Sequence, residues 1–140
     1  VVLLEGSNGW YCQADDLGTP DPDPMCFDQT WLDWMYAKGA GEAPTVSAPG
    51  FAYMLQGGSE ASNTDPDATE PADGAEWMIS PPHIMILLPG GLGQSGLTSD
   101  FTSAGPWIMY EGTPYEHIMM PIGEGMMVDM SAMAEATPAG

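Results

Sequence analysis

Apolar positions along this chain fall mostly in short runs separated by glycine, proline and acidic residues, and only one stretch repeats with the period of a helix. Phe27, Trp31, Trp34 and Met35 follow that period, so residues 29–38 are expected to form a helix with an aromatic face. Asp28 stands at the N-cap position and Gly39 at the natural stop. Residues 51–56, ended by Gly57 and Gly58, read as a strand, as do 77–79, 83–88, 106–112 and 117–122. Thr113 and Pro114 leave so short a connection that the last two strands should pair antiparallel as a hairpin. Residues 1–6 read as a short strand or as an apolar arm that docks onto something.

Between these runs lie loops. Residues 13–24 and 59–76 are acidic and proline-containing, and 91–105 are irregular. With 18 glycines and 14 prolines in 140 residues, long uninterrupted helices have little room. The expected fold class is α+β: a small antiparallel sheet of four or five short strands, one packed helix and long acidic loops. The length suits a single domain with a hydrophobic core, fading into a C-terminal tail from about residue 134. Trp77-Met78-Ile79 before His83-Ile84-Met85 echoes Trp107-Ile108-Met109 before His117-Ile118-Met119, and this reads as similar strand design and not as a duplication.

Charge narrows the range of partners. Twenty acidic residues face a single basic one, Lys38, for a net charge of −19. Nucleic acid and anionic membrane surfaces are held by Lys and Arg, so neither is expected as a partner. Self-repulsion of this size is relieved by salt, which points to a halophilic or marine source or to a cationic partner. No apolar run approaches the roughly 20 residues of a membrane span, and an opening on Val1 suggests a processed product. Cys12 and Cys26, the only cysteines, fit a disulfide in an exported protein. Two ligands of a metal site are the rival reading.

The most concentrated chemistry is a pair of His-x-Met motifs, His83 with Met85 and His117 with Met119. On strands, the period of two puts each histidine and its methionine on one face. Imidazole and thioether together suit copper, the thioether favouring Cu(I). An alternating apolar strand whose histidine bonds a backbone carbonyl has the same appearance. Met126, Met127, Met130 and Met133 repeat a spacing that also suits Cu(I) or one apolar helical stripe. Calcium is the weaker cofactor candidate, with oxygen ligands in Asp65, Asp67, Glu70 and Asp73 or in Asp15, Asp16, Asp21 and Asp23, none at EF-hand spacing.

No catalytic residue is identified. Leu97 stands where a nucleophile elbow around Ser95 needs its second glycine, and Gly90-Gly91-x-Gly93 lacks the lysine of a phosphate loop. Trp10-x-Cys12, Pro24-Met25-Cys26 ahead of the Trp-rich helix, Ser62-Asn63-Thr64-Asp65-Pro66, Pro82-His83-x-Met85 and the run Gly112-Thr113-Pro114-Tyr115-x-His117-x-Met119-x-Pro121 together resemble small exported bacterial proteins of uncharacterised function. The resemblance implies export and one domain, and no activity. The expectation is therefore a non-catalytic, periplasmic or extracellular binding, accessory or assembly subunit, with protein partners or self-assembly through its two ends. A periplasmic copper carrier using His83, Met85, His117 and Met119 is the alternative.

Overall fold

The computed structural model of the chain describes residues 5–122. Its helix, α1 (Gln29–Gly39), starts where the sequence places it: the Asp28 side chain accepts from the Trp31 amide and caps the first turn. The other oxygen of the same carboxylate accepts from the Phe51 amide at 2.8 Å, tying the helix start to the neighbouring strand. Lys38 lies in the last turn, where a cation complements the helix dipole.

The described residues form eight strands besides this helix: β1 (Tyr11–Gln13), β2 (Met25–Phe27), β3 (Gly50–Met54), β4 (Gly58–Glu60), β5 (Met78–Ser80), β6 (His83–Leu87), β7 (Trp107–Met109) and β8 (His117–Pro121). Six form one antiparallel sheet in the order β1-β2-β3-β6-β8-β7, and β4 pairs with β5 in a separate ribbon. The α+β class is as expected, while the main sheet has six strands where four or five were expected. The surplus strands, β1 and β2, are three residues each. They are held as a ladder by the Cys12–Cys26 disulfide between directly opposed residues, a cross-link invisible to any count of apolar periodicity.

The β7–β8 hairpin forms as expected. The echo between the two Trp and His-Ile-Met segments does not carry into three dimensions, because β5 and β6 belong to different sheets. Nor is the polar stretch 59–76 only a surface loop. It opens as β4, and Asn63 then pins the sheet edge by accepting from Trp107 Nε1, donating to the Ser99 carbonyl and offering its own carbonyl to the Tyr110 amide.

Register decides which side chains meet. Phe27, Ala52, Met85, Met119 and Trp107 form one row across the sheet, all buried beneath α1. Trp31 reaches into this face and donates its indole N–H to the Met85 carbonyl at 3.3 Å. The opposite face carries the disulfide, Tyr53, Ile84 and Met120 in one row and Phe51, Ile86, Ile118 and Ile108 in the next. Leu92 and Leu97 pack over the second of these.

Candidate functional site

All four residues of the His-x-Met motifs lie on the helix side of the sheet, and all are buried. Met85 and Met119 are direct cross-strand partners. The histidines sit on opposite sides of that pair: His83 is level with Pro121, whereas the Ile86–Ile118 pairing sets His117 level with Leu87. The offset along β6, from 83 to 87, is roughly 14 Å at a rise of about 3.4 Å per residue. The two imidazoles therefore occupy separate surroundings.

His117 stands directly across from Met109 inside an aromatic cage. The rings of Trp31, Trp34 and Tyr110 meet it edge-on, with centroids 5.2, 5.6 and 5.6 Å away. Its Nδ1 lies 3.0 Å from the Tyr115 carbonyl. Burial pushes its pKa down to about 4, the carbonyl bond opposes that shift, and the charge of His83 adds to it. Around neutral pH it is an uncharged ring that completes the core.

His83 stands directly across from Met54 of β3. Its Nδ1 is 2.6 Å from the Pro81 carbonyl, a bond that only an N–H makes, so the proton is on Nδ1 and Nε2 carries a lone pair. Burial lowers this pKa too, against the pull of the Pro81 carbonyl. The residue is wholly buried, and Nε2 has no hydrogen-bond partner among the described residues. Sequence reasoning missed Met54, although its alternation with Ala52 along the strand carried the signal.

Between the sheet, the helix and the loop that joins β1 to β2 lies a cavity of about 300 Å³. Its walls include Met25, Met35, Met54, Met85 and Met109, with Trp31, Trp34 and His117. Asp16, Asp23 and Glu60 add carboxylates, and Lys38 is the lone cation. Gly58 lets two of these parts approach: a Cβ there would stand 3.1 Å from the Met54 methyl carbon and 3.2 Å from the Asp23 Cβ. Glu60 is shielded from water and lies near Asp23, and these two effects, burial the larger, raise its pKa to about 7. Burial also raises the Tyr110 phenol, helped by Glu60, Asp65 and Asp67. Tyr110 holds φ of 58°, a conformation that costs a non-glycine residue about 1 kcal/mol or more and clusters at functional sites.

Several of the carboxylates proposed for calcium accept hydrogen bonds within the chain. Asp15 accepts from the Asp23 amide, Asp16 from the Gly18 amide, Asp23 from the Asp16 amide and the Thr19 hydroxyl, and Asp21 from the Ser59 hydroxyl. Among the described residues, no three His, Cys, Asp or Glu side chains converge on a metal position. Met126, Met127, Met130 and Met133 lie outside the described residues, as does most of the N-terminal arm.

A second cavity, about 380 Å³, borders Trp34, Leu87, Leu92 and Glu116. The Glu116 carboxylate is already used, accepting from the Leu92 and Gly112 amides. Comparison of the chain with family models, with curated proteins and with solved structures returns no match, so the chemistry of the two cavities and the buried histidines is what the functional reading rests on.

Proposed function

We propose that this protein is a non-catalytic binding component that takes a cationic ligand into the cavity beside α1. The observation that carries the reading is the set of residues lining the cavity: five methionines and two tryptophans together with three acidic residues, in a chain with one lysine and no arginine. Apolar, polarisable surface beneath negative charge favours cations with a soft or organic body. Disulfide-bonded cysteines are compatible with an oxidising compartment, periplasmic or extracellular. Among the described residues no helix is long and apolar enough to cross a membrane. The accessory role includes self-assembly or docking to a protein partner through the chain ends.

A second reading, a copper-binding carrier, is favoured by the direct Met85–Met119 pairing on the face that also carries His83 and His117, although the two histidines stand too far apart to share one ion. Native mass spectrometry of protein purified without chelators tests both, followed by titration with tetramethylammonium, spermidine, Ca²⁺ and Cu(I). Retention of a cation, or saturable binding of one of these probes that Asp23→Asn together with Glu60→Gln weakens, supports the cavity reading. A protein that binds none of them overturns it.

A further inference from the structure

The unpartnered nitrogen of His83 is the feature that the packing leaves without a role. A buried imidazole lone pair forgoes a hydrogen bond that water would give it, and such groups in folded proteins usually have a partner. Here the ring is held from behind. The Pro81 carbonyl fixes the proton on Nδ1, which is how backbone carbonyls orient histidines whose other nitrogen binds a metal.

Two thioethers flank that nitrogen's residue. Met54 is its direct partner across β3 and β6, and Met85 follows two positions later on the same face. Side chains directly opposed on antiparallel strands have Cβ atoms about 4.5–5.5 Å apart, and methionine's three rotatable bonds cover the remainder. Both methionines border the cavity, and His83 is wholly buried and not among the residues that line it, so an ion in the cavity reaches the methionines before the imidazole.

We propose that His83 Nε2 and the thioethers of Met54 and Met85 form a binding site for one monovalent soft cation, Cu(I) or Ag(I). The three donors are neutral and soft, which suits a singly charged d¹⁰ ion; calcium and magnesium take oxygen ligands instead. The site rests on the copper reading but changes its ligand set. Met54 enters, and His117 with Met119 leaves, because His117 stands roughly 14 Å from His83 along the sheet and is ringed by Trp31, Trp34 and Tyr110.

The test is anaerobic titration of the full chain with Cu(I) against a chromophoric Cu(I) chelator, and with Ag(I) under long-range ¹H–¹⁵N NMR. Met54→Leu and Met85→Leu keep volume and shape, so they leave the fold intact where His83→Gln risks it. Loss of an outer partner of a metal ligand already weakens binding 10–100-fold, so each of these two changes should weaken binding by about tenfold or more. Met109→Leu and Met119→Leu should stay within about threefold of the parent, below the outer-partner figure. Ag(I) should shift the Nε2 resonance of His83 and leave that of His117 in place. Binding that survives both Met54→Leu and Met85→Leu, or a shift at His117 alone, overturns this ligand set and leaves a copper protein with other ligands. A wild-type chain that binds neither ion overturns the copper reading as well.

Discussion

Met54 and His83 stand directly opposite each other across β3 and β6, and the imidazole keeps a buried nitrogen that has no hydrogen-bond partner among the described residues. Met109 and His117 repeat the pairing across β7 and β8, yet there the ring is caged by Trp31, Trp34 and Tyr110. The same two residue types in the same cross-strand relation thus meet different surroundings. What separates them is the neighbour supplied from elsewhere in the chain.

His117 should therefore remain neutral far into the acid range. Its ring resonances, followed by NMR, are expected to titrate at about 4 where an exposed histidine titrates near 6.5. The folded pKa is depressed, so the unfolded chain binds the extra proton first. Stability from this group is fully present above about pH 6.5 and is lost as pH falls towards 4. A midpoint near 6.5 in the folded protein would show that the cage admits the cation and water.

Glu60 acts with the opposite sign. Its folded pKa of about 7 exceeds the ordinary glutamate value of 4.5, so the folded state holds the proton that the unfolded state releases. Stability from this group is present below about pH 4.5 and declines as pH rises through 7. Glu60→Gln should consequently raise the melting temperature at pH 8 by more than at pH 5, and Asp23→Asn should reduce that difference by removing the nearby charge. Equal shifts at the two pH values would place Glu60 in water.

Much of this architecture is legible in the chain, and what escapes has a physical cause. The helix, its Asp28 cap and the β7–β8 hairpin follow from local signals, since caps and tight turns are set by residues a few positions apart. Strands β1, β2 and β4 are three residues each, too short for alternation to register, and they exist through the disulfide and through pairing partners far along the sequence. The shared face of the two His-x-Met motifs depends on an antiparallel β6–β8 register. Periodicity placed each histidine with its own methionine; only the register could add Met54 to one and Met109 to the other.

Reduction should loosen the sheet edge that this cross-link holds. The bridge closes a loop with a sequence separation of 14, for which chain entropy gives a stabilisation of about 3 kcal/mol. Cys12→Ser with Cys26→Ser is expected to lower the denaturant midpoint accordingly. Amide exchange should rise first at Tyr11 to Gln13, the edge strand with exposed residues. Unchanged protection there would mean that backbone pairing alone holds β1.

Salt should stabilise the folded chain. With twenty carboxylates and one lysine, compaction gathers like charge, and the screening length shrinks from about 10 Å at 0.1 M to about 3 Å at 1 M. The one ion pair among the described residues, Lys38 with Asp67 at 3.9 Å, is exposed on the Asp67 side and offers little for salt to weaken. The melting temperature is expected to climb between 0.05 and about 1 M sodium chloride, and a flat response would show that the carboxylates are spaced too widely to repel.

Asp28 gives the sharpest single-site test of how the helix is coupled to the sheet. One carboxylate oxygen accepts from the Trp31 amide and the other from the Phe51 amide, so the residue is at once a helix cap and a clasp on β3. Asp28→Ala removes both bonds. An N-cap alone is worth about 1 kcal/mol, and the second bond, made by a charged acceptor, adds a similar amount. Asp28→Ala should therefore cost about 2 kcal/mol in denaturant unfolding. Asp28→Asn retains one acceptor oxygen and should lose about half as much. If asparagine costs nothing while alanine still costs about 1 kcal/mol, the Phe51 bond contributes nothing, and the helix is held on the sheet by Trp31 and Trp34 packing alone.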